Sequence, residues 1–139
     1  MKRLVLAIAG ALGLGGGALL SAWPAHAAAD PARGEQIYSR CLACHALAYD
    51  RVGPRHCGLL GRKAGATAGF EYSPAMRQSG LTWDAQTLDR FLTAPMKVVP
   101  GTTMTYDGVA EPQDRADLIA YLRYAGSTEA CRGSEAAGR

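Results

Sequence analysis

Cys41-Leu42-Ala43-Cys44-His45 sets two thiols three residues apart and places an imidazole directly after the second. That pattern suits covalent attachment of a porphyrin. Two thiols on one side of a single helical turn can add to the two vinyl groups, and the adjacent histidine can bind the iron. With only 4 Cys and 3 His in 139 residues, chance supplies roughly 0.002 such matches, so the motif is not an accident of composition. Three plainer chemistries use some of the same atoms. A dithiol oxidoreductase carries Cys-x-x-Cys after a strand, and nothing upstream of Cys41 alternates like one. A zinc site wants a second ligand pair at matching spacing, whereas His56, Cys57 and Cys131 stand singly. A structural disulfide between Cys41 and Cys44 is the third, and it leaves His45 unexplained.

A porphyrin iron has two axial positions, and His45 fills one of them. Candidates for the other are Met76, Met96, Met104 and His56. A methionine most often fills a gap in a core, so position must separate them. His56 follows His45 by only 11 residues, too close to cross to the opposite face, and reads as a loop surface residue. Met76 and Met96 fall on or beside short helices. Met104 sits in a Pro-Gly loop far along the chain, where the backbone can be shaped to deliver a sulfur, and is the expected ligand.

The elements that must hold these groups are helical. Met1-Lys2-Arg3, an apolar Gly-rich run from Leu4 to Leu20 and Ala25-His26-Ala27 make residues 1–27 a cleavable secretory signal peptide, the alternative being a retained anchor. The mature 112 residues carry 13 basic and 12 acidic side chains, so nothing argues for nucleic acid. Asp30-Pro31 opens a first helix that bears Ile37, Tyr38, Cys41 and Leu42 on one stripe, with the thiols at its end. From Ala46 to Gly69 the period dissolves into an ordered loop. Ser73-Pro74 starts a short helix, Thr82 caps another that Pro95 stops, and Pro112 opens the last, with Leu118, Ile119, Leu122 and Ala125 inward. Residues 128–139 read as a polar, mostly disordered tail. The fold class is all-α, one domain over 28–127 with long loops over the cofactor.

Taken together, the chain resembles class I cytochrome c, mitochondrial-type and bacterial. The likeness runs through Gly34-Glu35-Gln36-Ile37-Tyr38, Val52-Gly53-Pro54, Gly58-Leu59-Leu60-Gly61-Arg62-Lys63, Gly69-Phe70-Glu71-Tyr72, Gly80-Leu81-Thr82-Trp83, Pro100-Gly101-Thr102-Thr103-Met104 and Arg115 to Leu122. The resemblance implies first and last helices that cross, with Ile37 on Leu118 and Tyr121, around one covalent haem c. It implies that the Pro54 carbonyl accepts the Nδ1 proton of His45. It also implies that Arg62, Tyr72 and Trp83 serve one propionate and Thr102 lies near the other. Cys57 and Cys131 depart from the family; a disulfide and two free thiols both remain open, with the family fold bringing their regions near each other. Other departures are Phe91 for a tyrosine beside the methionine sulfur, Met76 for an asparagine, and Met96 and Thr103 for lysines of the docking ring, leaving Arg40, Lys97 and Arg51. The expected activity is that of a soluble periplasmic electron carrier and not an enzyme. It would be a monomer without membrane insertion after cleavage, serving a membrane cytochrome complex, oxidase, reaction centre or periplasmic dehydrogenase. A haem subunit of a dehydrogenase complex, and a ligand-binding haem protein with a displaceable methionine, are the rivals.

Overall fold

The computed structural model describes residues 27–137, so the signal-peptide segment lies outside the described residues except for Ala27. Among the described residues there are six α-helices: α1 (Pro31–Tyr38), α2 (Pro74–Gln78), α3 (Ala85–Thr93), α4 (Pro95–Val98), α5 (Pro112–Gly126) and α6 (Glu129–Ala137). Among the described residues the only extended pairing is an isolated antiparallel bridge, Lys63 to Thr82.

Why α1 begins where it does is local chemistry. Asp30 is extended, its side chain accepts from the Ala32 N–H at 2.9 Å, and Pro31 supplies a helical φ where no donor is needed. The helix ends at Tyr38, and Ser39–Cys41 tightens into a 3-10 turn. Cys41 and Cys44 therefore lie in that turn and the one after it, not on α1 as the apolar stripe suggested. The α3 cap also differs from expectation. Asp84, not Thr82, is the N-cap, because its carboxylate reaches the Thr87 N–H at 2.7 Å while the Thr87 hydroxyl oxygen accepts from the Asp84 N–H at 2.8 Å. The Thr82 carbonyl instead accepts from the Thr87 hydroxyl. Helix α3 ends at Thr93, with Ala94 before Pro95 out of the helical region, and Pro95 at once opens α4.

Packing centres on α1 against α5. They approach until a Cβ on Gly34 would stand 2.0 Å from the Asp117 carbonyl oxygen, so only glycine fits the crossing. Around it lie Ile37, Leu118, Tyr121 and Leu122, all buried in one core with Leu88, Phe91, Leu92 and Trp83. Asp117 itself is 0% exposed. Its carboxylate accepts from the Asp30 N–H at 2.8 Å and from Gln113 at 2.9 Å, and Arg33 approaches it at 3.1 Å. A buried charge is tolerable only when paired in this way, and the pairing ties the entry of α1 to α5. Arg33 also reaches Asp114.

Residues 129–137, expected as a disordered tail, form α6 instead. Cys131 is buried and joined to Cys57 by a disulfide with S–S 2.00 Å and Cα–Cα 5.1 Å. The segment has few large apolar residues to announce a packed helix, and the Cys131 disulfide ties it to the loop after Pro54.

Candidate functional site

The turn after α1 carries the sulfur-imidazole motif. Its backbone is a compact knot in which the His45 N–H donates to the Cys41 carbonyl at 2.9 Å and the Gly53 N–H to the Cys44 carbonyl at 2.7 Å. Cys41 and Cys44 are both outside any disulfide, Cys44 exposed and Cys41 partly covered. Burial pushes the Cys41 thiol up to about 11, so it is no thiolate at neutral pH. That disfavours a dithiol nucleophile, and among the described residues no cluster of three His, Cys, Asp or Glu side chains could hold a metal ion.

His45 is buried, and its Nδ1 lies 2.8 Å from the Pro54 carbonyl oxygen. A carbonyl can only accept, so Nδ1 carries the proton and Nε2 keeps the free lone pair. Burial lowers the pKa of this imidazole, against the hydrogen bond to Pro54 that raises it. Gly53 presses on the ring: a Cβ there would meet His45 Cε1 at 2.3 Å.

The rest of the wall comes from the loop that the sequence left irregular. Backbone bonds from the Gly61 N–H to the Trp83 carbonyl, 2.7 Å, and from the Trp83 N–H to the Arg62 carbonyl, 2.9 Å, hold Arg62 and Trp83 side by side. The two terminal nitrogens of Arg62 donate to the carbonyls of Cys57 and Arg55, both at 2.9 Å. Its Nε is buried and meets no acceptor among the described residues. Tyr72 donates its hydroxyl to Thr67 Oγ1 at 2.7 Å. Trp83 is buried, with its ring 4.9 Å from that of Phe91, and Met76 is buried on α2. Met104 is partly buried against the core, and its N–H donates to Thr102 Oγ1 at 3.2 Å.

These residues fit a covalently attached haem on three grounds. Two thiols outside any disulfide precede an imidazole whose Nε2 is left unprotonated. An orphaned guanidinium N–H waits for an anion such as a propionate. A glycine leaves room where any side chain would strike the imidazole.

The comparisons with known proteins agree. The cytochrome c family model matches residues 31–126. This chain belongs to the cytochrome c family. Cytochrome c2 of Rhodomicrobium vannielii is 47% identical over 125 residues, covering 88% of this chain and 95% of that protein. Cytochrome c2 of Rhodoblastus acidophilus is 46% identical, covering 68% and 92%. The structure of cytochrome cH from Methylobacterium extorquens superposes with a TM-score of 0.67 at 43% identity, covering 68% of this chain and 98% of that one. The fold is thus the all-α cytochrome c fold, and the chain is a single-haem electron carrier with one covalently attached haem c. No helix among the described residues is long and apolar enough to cross a membrane.

The sequence misplaced one member of this cytochrome's site. His56, read as a surface residue, is half-buried with its ring stacked on His45, centroids 4.2 Å apart and planes 23° apart. The backbone folds back after His45, so that the His56 N–H donates to the Ala46 and Leu47 carbonyls. No spacing rule announces that return; the Gly53-Pro54 break is its only trace.

Proposed function

We propose that this cytochrome works in the periplasm, with Cys41 and Cys44 as the thioether anchors and His45 and Met104 as the axial ligands. When bound, haem supplies an iron whose charge changes by one unit, and histidine plus thioether ligation favours a raised potential. The observation that carries the reading is the His45–Pro54 contact at 2.8 Å, which fixes the tautomer that offers Nε2 to iron and holds its direction.

The chain's other residues then divide the work. Arg62 Nε gives a propionate a buried partner, which makes an otherwise costly charge tolerable. Trp83 and Tyr72 close that side against water, and Thr102 orders the backbone that delivers Met104. Were His45 and Met104 both to bind the iron, no position would be left for substrate, which suits a carrier rather than an enzyme. Cys44 is exposed and marks the side on which a partner approaches. Of the cations that the family's docking ring implies, Arg40, Arg51 and Lys97 remain, all exposed. Docking to a membrane cytochrome complex, oxidase, reaction centre or periplasmic dehydrogenase is accordingly only mildly salt-sensitive.

A redox titration with visible spectra, on protein matured in a periplasm, tests the assignment. The holoprotein is expected to be red and low-spin. Met104→Ala is expected to lower the potential by a sizeable part of the ~0.8 V range that axial ligands span and to remove the far-red sulfur-to-iron band. Colourless protein, or a Met104→Ala form with unchanged spectrum and potential, overturns it.

A further inference from the structure

We propose that His56 is a positioning residue for the His45 imidazole, fixing the plane of that ring. The inference rests on the reading of His45 as an axial ligand. The hydrogen bond from Nδ1 to the Pro54 carbonyl sets the ring's direction but restrains its tilt weakly, because one N–H···O contact tolerates tens of degrees about its axis. What closes the remaining freedom is a second flat ring against the face, 4.2 Å away and nearly parallel.

A brace must itself be held, and His56 is held three times. Its Nδ1 lies 3.0 Å from the Tyr38 hydroxyl, and Tyr38 is 3% exposed with its ring 5.2 Å from that of Tyr121 on α5. Its backbone N–H donates to the carbonyls of Ala46 and Leu47, the two residues that follow His45. Its neighbour Cys57 is bonded to Cys131 on α6. An aliphatic side chain would fill the same space but would have no plane to impose and no hydrogen bond to stop its rotation. A tyrosine hydroxyl can donate to an unprotonated ring nitrogen, so the Tyr38–His56 contact fixes the rotation of the His56 ring. The crossing of α1 and α5 is thereby connected to the ligand plane through Tyr121, Tyr38 and His56.

Electron paramagnetic resonance and the haem-methyl proton shifts of the ferric holoprotein read the ligand plane directly, apart from any transfer activity. The wild-type spectra test the parent reading: a signal that is not low-spin with histidine and methionine ligation would sink it before the brace is considered. Given that signal, His56→Leu is expected to shift the largest g-value and change the order of the methyl resonances. His56→Phe, which restores a flat ring, is expected to return both towards wild type. Tyr38→Phe, which frees the brace but leaves its ring, is expected to move them the same way by less. A His56→Leu holoprotein with wild-type g-values and methyl order overturns the proposal. Should His56→Leu yield no holoprotein, an unchanged signature in Tyr38→Phe does so instead.

Discussion

The two stretches that approach the site from opposite ends of the chain are built differently. Residues 41–62 form a cross-linked knot: successive backbone bonds among Cys41, Cys44, His45, Leu47, Gly53, His56 and Cys57, an Arg55–Asp50 ion pair at 2.9 Å, Arg62 bridging two carbonyls, and the disulfide to α6. Residues 99–109 are pinned at their ends, where the Val99 N–H donates to Pro95 and the Val109 N–H to Leu92, and are nearly bare between them. Among the described residues, 103–107 make one hydrogen bond, from Met104 N–H to Thr102 Oγ1. Thr103, Thr105 and Asp107 are exposed. Local stability follows such contact density. By that measure residues 41–62 are the rigid stretch and residues 103–107 the one that opens first.

Removing the disulfide is the strongest way to break that contrast. Cys57→Ala with Cys131→Ala is expected to cost up to about 4 kcal/mol of unfolding free energy in the chain-entropy picture, less where bound haem already restricts the unfolded chain. Denaturant titration of the holoprotein checks the cost, and hydrogen exchange should show the 41–62 amides losing protection while 103–107 stay as they were. Equal losses in both stretches would mean that the disulfide serves the whole fold and not the knot.

A smaller effect sharpens the same difference. Gly53→Ala drives a Cβ into the His45 ring and should destabilise by about 2 kcal/mol. Thr103→Ala, on the bare loop, should stay within about 0.5 kcal/mol. Comparable values from thermal melts would dissolve the asymmetry.

The smallest effect lies in the Asp84 cap, outside both stretches. Hydrogen bonds from the Thr87 backbone and hydroxyl hold its carboxyl below the usual value. A depressed carboxyl adds stability above its unfolded pKa and loses it as pH falls through the folded one. The melting difference between wild type and Asp84→Ala should therefore be level from pH 7 to about pH 5 and shrink below about pH 4. A difference that grows on acidification would put the cap's contribution elsewhere.

Legibility in the sequence followed the range of the forces. The helix starts at Pro31 and Pro74 are visible because a proline and its preceding cap act within three residues, and the start at Pro112 because proline alone marks it. The sulfur-imidazole motif was visible because covalent chemistry fixes its spacing. Asp84 was missed because Thr82 is an equally good capping type two residues earlier, and only the reciprocal bond with Thr87 decides between them. Nearness in sequence to His45 suggests exposure for His56, whereas the backbone reversal after Leu47 brings the rings face to face. Helix α6 was missed because a disulfide anchors it where no apolar stripe does. Long-range returns of the chain leave little trace in local pattern.

The Cys57–Cys131 link also closes a covalent ring through 75 residues of chain, and the bare loop before α5 lies inside it. A protease that nicks the backbone at Thr103 or Asp107 therefore severs nothing free. Without reductant the clipped molecule migrates as one full-length coloured band; with reductant the pigment travels with the amino-terminal fragment alone.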